Sequence, residues 1–373
     1  MVHDIRNGLL FLLAGILLAC GSAWAESSVR YADLSDFKLE NGSVIRNCRV
    51  AYITAGTLNA EKSNVVLVPT WLAGTAQELV DLGFIGPGKV FDSSKFFIIA
   101  VDALGNGRSS SPSNSPTQPG QSFPLFSIRD MVRAQYILLT EHLNIRHIRA
   151  VTGISMGALQ TFQWVVSYPD FMDQAVPILG SPWITSHDML FWSAQLGILE
   201  NVGECKGNAA AMKTLAPLHI MQAWTREYRT NKTSPADFPA FLAKQQENIS
   251  RYDARNWTSQ VKAILTHDIL INFGGSREKA ATSIRARFLV ITSPQDQIIG
   301  KDDAIAFARL AGAESSELDG TCGHFAFFCD QDNLKKMVNT FLSPNPGTSP
   351  KNLKDGNNKS GAVCPCHGKR GKS

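Results

Sequence analysis

Ser155 stands in Gly153-Ile154-Ser155-Met156-Gly157, a serine with a glycine two positions away on each side. A serine hydroxyl attacks a carbonyl well only when a base takes its proton, a carboxylate orients that base, and N–H groups receive the charge that builds on the carbonyl oxygen. The base and the acid must therefore be sought elsewhere in the chain. Asp296, in Ser293-Pro294-Gln295-Asp296-Gln297, is the candidate acid, and His324, in Gly323-His324, is the candidate base. They follow the serine in the order Ser, acid, His, one of the few chain orders in which this constellation occurs. Asp302 and Asp303 rival Asp296, but they read as the first turn of a helix, Ala304 to Leu310, where acidic residues favour the helix N-terminus. Of eight histidines, His3 falls in the leader and His367 in the tail; His142 and His147 precede the serine, and His187, His219 and His267 precede the acid. Only His324 satisfies the order. The N–H donors for the oxyanion are expected from Met156, which follows the nucleophile, and from Leu72, in Pro69-Thr70-Trp71-Leu72-Ala73-Gly74.

These side chains need a scaffold that presents them at one edge. Ile148 to Thr152 reads as a strand and Ala158 to Tyr168 as a helix stopped by Pro169, so Ser155 falls at a strand-to-helix turn, a nucleophile elbow. A G-x-S-x-G without that context is a common turn. Val65 to Val68, Phe97 to Val101 and Phe288 to Thr292 are further short apolar strands, each followed by a loop that carries a candidate residue or a turn motif. Gly105-Asn106-Gly107 has the look of a dinucleotide fingerprint, but the third glycine is missing and a Ser/Pro-rich loop follows where a helix should open. No nucleotide cofactor is expected. The expected fold is α/β, with a mostly parallel central sheet flanked by helices. The stretch 181–282 carries helical pattern in Phe191 to Val202, Ala209 to Tyr228, Phe238 to Tyr252 and Trp257 to Ile269, broken in the middle by Thr230 to Pro235. It is expected to form a lid over the serine. Its Trp183, Trp192, Trp224 and Trp257 are assigned to core packing.

Asp102-Ala103-Leu104-Gly105-Asn106-Gly107-Arg108-Ser109 resembles a loop found in many α/β-hydrolases. From about Val29 to about Leu342 the chain is similar to the homoserine O-acetyltransferase family of the α/β-hydrolase superfamily. The likeness lies in Ala51-Tyr52-Ile53-Thr54-Ala55-Gly56-Thr57-Leu58-Asn59, Gly83 to Lys89, Ile128 to Gln135, Ser155-Met156-Gly157, Trp164, Ser167-Tyr168-Pro169-Asp170 and Gly323-His324. The resemblance implies an α/β-hydrolase fold, Ser155 as acyl-enzyme nucleophile, Asp296 and His324 as its partners, and the amides of Leu72 and Met156 as oxyanion hole. Three departures bear on the acyl acceptor. The loop Gly105 to Pro112 is closer to that of ordinary hydrolases, the elbow has Ile154 and Ala158 where the family has glycine, and Thr70 replaces a histidine. The family's substrate-binding arginine has only Arg226 and Arg229 as counterparts here. A small ester as substrate and water as acceptor are therefore expected, with homoserine acetylation, and then a catalytically silent binding protein on the same fold, as alternatives.

Arg6 precedes an apolar run, Gly8 to Ala19, and Ala23-Trp24-Ala25 is a cleavage site, so residues 1–25 read as a secretory signal peptide and the mature protein as periplasmic or secreted. Leu17-Leu18-Ala19-Cys20 also resembles a lipobox, which would make Cys20 a lipid anchor. The expected domain plan continues with a first core part, 26–180, the lid, 181–282, a second core part, 283–343, and a disordered basic tail, 344–373. From Lys351 onward the tail carries five Lys, Arg370 and Asp355, which leaves the body near −1 of the total +4 and gives no basic surface for nucleic acid. Cys322 and Cys329 bracket His324; a disulfide between them would stiffen the base loop, and two independent buried thiols are the alternative. Cys364-Pro365-Cys366-His367 resembles half of a metal knuckle with no second ligand pair, so no metal is expected. A homodimer through the lid is the expected partner arrangement, if any.

Overall fold

The computed structural model describes residues 28–343. The expected signal peptide, residues 1–25, and Cys20, Cys364 and Cys366 lie outside the described residues. An eight-stranded sheet forms the centre: β1 Arg30–Asp33, β2 Arg49–Ala55, β3 Val65–Pro69, β4 Phe97–Val101, β5 Ile148–Ile154, β6 Met172–Ile178, β7 Arg287–Thr292 and β8 Glu314–Glu317. Their spatial order is β1-β2-β4-β3-β5-β6-β7-β8. β1 and β2 pair antiparallel, as do β2 and β4, and from β4 across to β8 every pairing is parallel. The central strands β3 and β5 read VVLVP and IRAVTGI because a parallel sheet covered on both faces buries both faces of each strand.

Helices α1 Ala76–Asp81, α2 Ile128–Ile137 and α3 Met156–Ser167 follow β3, β4 and β5. α3 is buried almost throughout, with Phe162 and Trp164 fully enclosed, so it packs as the spine of one face rather than as a surface helix. Between β6 and β7 the chain leaves the sheet for α4 Ser186–Lys206, α5 Asn208–Ala223, α6 Arg226–Lys232, α7 Phe238–Ser250, α8 Ala254–Leu265 and α9 Arg277–Ser283. The segment read as one helix from Ala209 to Tyr228 is two. The chain turns at Trp224, in extended backbone, and Thr225 caps α6 by accepting from the Tyr228 N–H. α10 Lys301–Leu310, α11 Ala326–Cys329 and α12 Gln331–Leu342 are the last helices of the described residues, and Asp302 and Asp303 occupy the first turn of α10. Among the described residues no helix is long and apolar enough to cross a membrane.

Candidate active site

β5 runs straight into α3 through Ser155, whose backbone stands at φ 58°, ψ −121°. The two glycines make that turn sterically feasible. A Cβ on Gly153 would lie 2.5 Å from the Gly157 carbonyl, and one on Gly157 would lie 2.5 Å from the Pro69 oxygen. Ser155 occupies the N-cap position of α3, but its side chain makes no capping hydrogen bond. The hydroxyl is thereby left for another partner.

That partner is His324, whose Nε2 lies 2.8 Å from Ser155 Oγ, while its Nδ1 lies 2.7 Å from Asp296 Oδ2. A carboxylate only accepts, so Nδ1 carries the proton and Nε2 is free to accept from the serine. Asp296 follows β7 in a loop, and its other oxygen accepts from the N–H groups of Ile298 (2.9 Å) and Ile299 (3.0 Å), which fixes the carboxylate plane. Both side chains are withdrawn from solvent, at 5% exposure for His324 and 1% for Asp296. The rival Asp303 faces Arg277 instead, at 3.9 Å.

The turn that carries the histidine is held from two sides. Cys322 and Cys329 form a disulfide that closes it, so the open question of their pairing resolves as a bridge around His324. On the other side the Thr225 hydroxyl donates to the Thr321 carbonyl, and the Trp224 ring packs edge-on to Phe325 with centroids 4.8 Å apart. The helical insertion thus touches the base turn directly.

After β3 the chain bends through Trp71-Leu72-Ala73-Gly74, with Ala73 at φ 57°. The Ala73 N–H donates to Gln260 Oε1 of α8 (2.7 Å), and Gln260 Nε2 donates to the Leu104 carbonyl (2.9 Å). A second buried amide, Gln160 of α3, donates to the carbonyls of Thr70 and Met156, both at 3.1 Å. It is itself held by Gln135 (2.6 Å), which accepts from the Trp164 indole (2.7 Å). Neither glutamine was singled out by sequence reasoning. Isolated glutamines carry no motif, and their partners lie far away in the chain. Among the described residues the N–H groups of Leu72 and Met156 donate to no protein acceptor, and they sit at the ends of the two segments that these amides fix. Thr70, at the family's histidine position, is fully buried and its hydroxyl accepts from the Ala103 N–H at 3.0 Å.

The loop Asp102 to Ser109 braces this region from below. Asp102 accepts from the Ala76 N–H (3.0 Å) and from Asn106 Nδ2 (2.7 Å), and burial pushes its carboxyl up to about 6. A Cβ on Gly105 would lie 2.6 Å from the Phe126 ring, so the glycine serves close packing.

Ser155 and His324 open into a cavity of about 370 Å³. Trp192 and Trp257 are buried in the core, as expected, and Trp224 packs against it, yet all three also line the cavity; Trp183 packs away from it, against Phe307 and under Arg277. Arg229 also lines the wall, stacked 4.0 Å over the Phe241 ring, whereas Arg226 does not. His219, set aside by chain order, is in the wall as well. Its spacing held a signal: Met212, Leu215, Ala216, Ile220 and Ala223 are the buried face of α5, and His219 falls on that same face. Burial holds its imidazole down at about 3.

Residues 64–330 match the alpha/beta hydrolase fold family. An ethyl acetate hydrolase of Pseudomonas veronii is 32% identical, over 83% of this chain and 93% of its own. A homoserine O-acetyltransferase of Methanosalsum zhilinae is 31% identical, over 83% of this chain and 71% of its own. The solved structure of the acetyl esterase MekB superposes with a TM-score of 0.79 at 29% identity, covering 84% of this chain and 95% of its own.

Proposed function

Because the chain belongs to the α/β-hydrolase fold family and is an enzyme of the hydrolase and acyltransferase kind, we propose that it hydrolyses a small carboxylic ester through an acyl-enzyme on Ser155. The continuous hydrogen-bond path from Asp296 through His324 to Ser155 carries this reading. His324 Nε2 takes the hydroxyl proton as Oγ attacks the ester carbonyl, and Asp296 stabilises the imidazolium that results. The carbonyl oxygen, now an anion, lies between the N–H groups of Leu72 and Met156. Collapse expels the alcohol, which takes the proton from His324, and a water activated by the same imidazole releases the acid.

Water as acceptor is supported by two relatives, the ethyl acetate hydrolase of Pseudomonas veronii and a probable esterase of Corynebacterium glutamicum. Homoserine acetylation is the second reading, favoured by Arg229, a cavity-wall cation that faces no carboxylate among the described residues. One assay separates the two. Purified protein is given short p-nitrophenyl esters, and separately acetyl-CoA with L-homoserine, and the products are followed by mass. Homoserine-dependent product formed faster than free acid would replace the hydrolase reading with the transferase one. Labelling of Ser155 by a fluorophosphonate is expected in either case, and its absence would favour a silent binding protein.

We also propose export. Support comes from Ala23-Trp24-Ala25 after the apolar run, and from the Cys322–Cys329 disulfide, a bond that persists in oxidising compartments. The mature N-terminus tests it by mass spectrometry: Glu26 marks a free periplasmic or secreted protein, a lipidated Cys20 an anchored one, and an intact Met1 overturns export.

A further inference from the structure

His219 is the one histidine of the cavity besides His324. The cavity it lines also carries the buried hydrophobic residues Trp192, Ile220, Ile249 and Trp257. Its ring is gripped between Phe191, near parallel at 6.2 Å, and Trp257, edge-on at 5.1 Å. Nδ1 is out of solvent and has no hydrogen-bond partner. Nε2 is not sealed in and, among the described residues, is bonded to no protein group, so it is the polar atom that the ring offers to the cavity. The ring remains neutral at ordinary pH, since burial and the nearby His324 both oppose a charge. A phenylalanine would fill the same slot without desolvating a polar ring, which costs free energy when the polar atom is left unpaired. The imidazole is thus an expense to the fold that packing does not explain.

Resting on the ester-hydrolase reading, we propose that His219 is a specificity-determining residue: its Nε2 hydrogen-bonds an oxygen that the substrate carries beyond the ester group. The cavity then selects short esters with a hydroxyl, keto or alkoxy function over hydrocarbon esters of the same size. A neutral imidazole can donate or accept at Nε2 according to its tautomer, so an alcohol and a carbonyl both fit. A site that hydrogen-bonds a substrate discriminates against the analogue lacking that group, because its own polar atom is then left unpaired.

The test compares isosteric pairs in which a methyl replaces a hydroxyl. Propyl acetate against 2-hydroxyethyl acetate probes the alcohol half, and ethyl butyrate against ethyl 3-hydroxypropanoate probes the acyl half. For each pair the ratio of kcat/KM, hydroxylated over hydrocarbon, is measured in the native enzyme, in His219→Phe and in His219→Gln. In one pair His219→Phe is expected to lower that ratio roughly 10-fold, mainly through KM of the hydroxylated ester, as loss of one neutral hydrogen bond gives. His219→Gln, which keeps a polar amide in the slot, is expected to restore at least part of the ratio. A purely structural role would change both members of each pair by the same factor, and that result in both pairs overturns the proposal. Failure of the underlying reading looks different: ester turnover would then be absent, or would survive in Ser155→Ala.

Discussion

At Ser155 the positive φ of a non-glycine residue concentrates backbone strain on the atom that must attack, and the strain persists because β5 and α3 determine the turn from both sides. Ser155→Ala should lower kcat for p-nitrophenyl acetate about a million-fold, and His324→Ala comparably, since such residues act as a unit. Asp296→Asn should be equal or milder, whereas Asp302→Asn and Asp303→Asn should leave kcat within a few-fold; the reverse ranking would move the acid to α10. Gly157→Ala places a Cβ 2.5 Å from the Pro69 oxygen and should cost about 1–3 kcal/mol or more in urea unfolding. At this scale the sequence was legible, because the glycines, the serine, the acid and the base each follow from local chemistry and chain order. His219 and the two glutamines were not, because their roles depend on what faces them and not on what precedes them.

Among the described elements, the base turn is the one secured by a disulfide. Replacing Cys322 and Cys329 together by serine opens the loop of eight residues from Cys322 to Cys329 and should destabilise the enzyme by about 2–3 kcal/mol on the loop-entropy account. Thermal unfolding of the oxidised protein against the double variant measures it, and coincident curves would mean that the clamp of Thr225 and Trp224 alone positions the turn. Under the oxyanion segment, Gln160→Leu strips the Thr70 carbonyl and the Gln135 amide of a partner. It should cost about 1–3 kcal/mol in stability and also lower kcat, with KM moving less, because the Met156 end of the segment is freed. The strands β3, β4, β5 and β7 were legible from their apolar runs, since both faces of a parallel strand are buried, whereas β1, β2, β6 and β8 were not read, and the edge strands β1 and β8, RYAD and ESSE, carry no apolar run. The break at Trp224 was hidden inside a continuous helical pattern; Thr225, a good N-cap residue, was the only local mark of it.

Over the whole molecule, buried ionisable groups set the response to acid. His267, whose Nε2 donates to the Ser181 carbonyl at 3.1 Å, is driven down to about 4 by burial, and His219 to about 3. Their unfolded forms take up protons near 6.5 while the native forms do not, so each contributes stability above 6.5 that is lost as pH falls toward its native value. Asp102 acts in the opposite sense. Its native carboxyl holds a proton up to about 6 against 3.8 unfolded, so it adds stability as pH falls through that window. Each group changes stability by about 1.4 kcal/mol per pH unit, so two imidazoles against this one carboxyl leave a net loss of about 1.4 kcal/mol per pH unit, about 2.8 kcal/mol in all, between pH 6 and pH 4. Urea titrations at pH 7, 6 and 5 should show it, and His267→Gln should lose the contribution of its own ring; parallel lines for native and variant would refute the assignment. By itself, the sequence determined the elbow, the order of the three groups and the alternation of strand and helix, since these rest on periodicity, sterics and short-range turn chemistry. Only the tertiary structure decided which loops meet at Ser155, which tryptophans face the cavity, that Cys322 bonds Cys329, that Gln160 and Gln260 brace the segments at Thr70 and Ala73, and that His219 lines the cavity. Apart from the disulfide, whose cysteines stand seven positions apart, those are contacts between residues tens to hundreds of positions apart, and they exist only after the sheet has twisted its strand ends together and the helical insertion has closed over them.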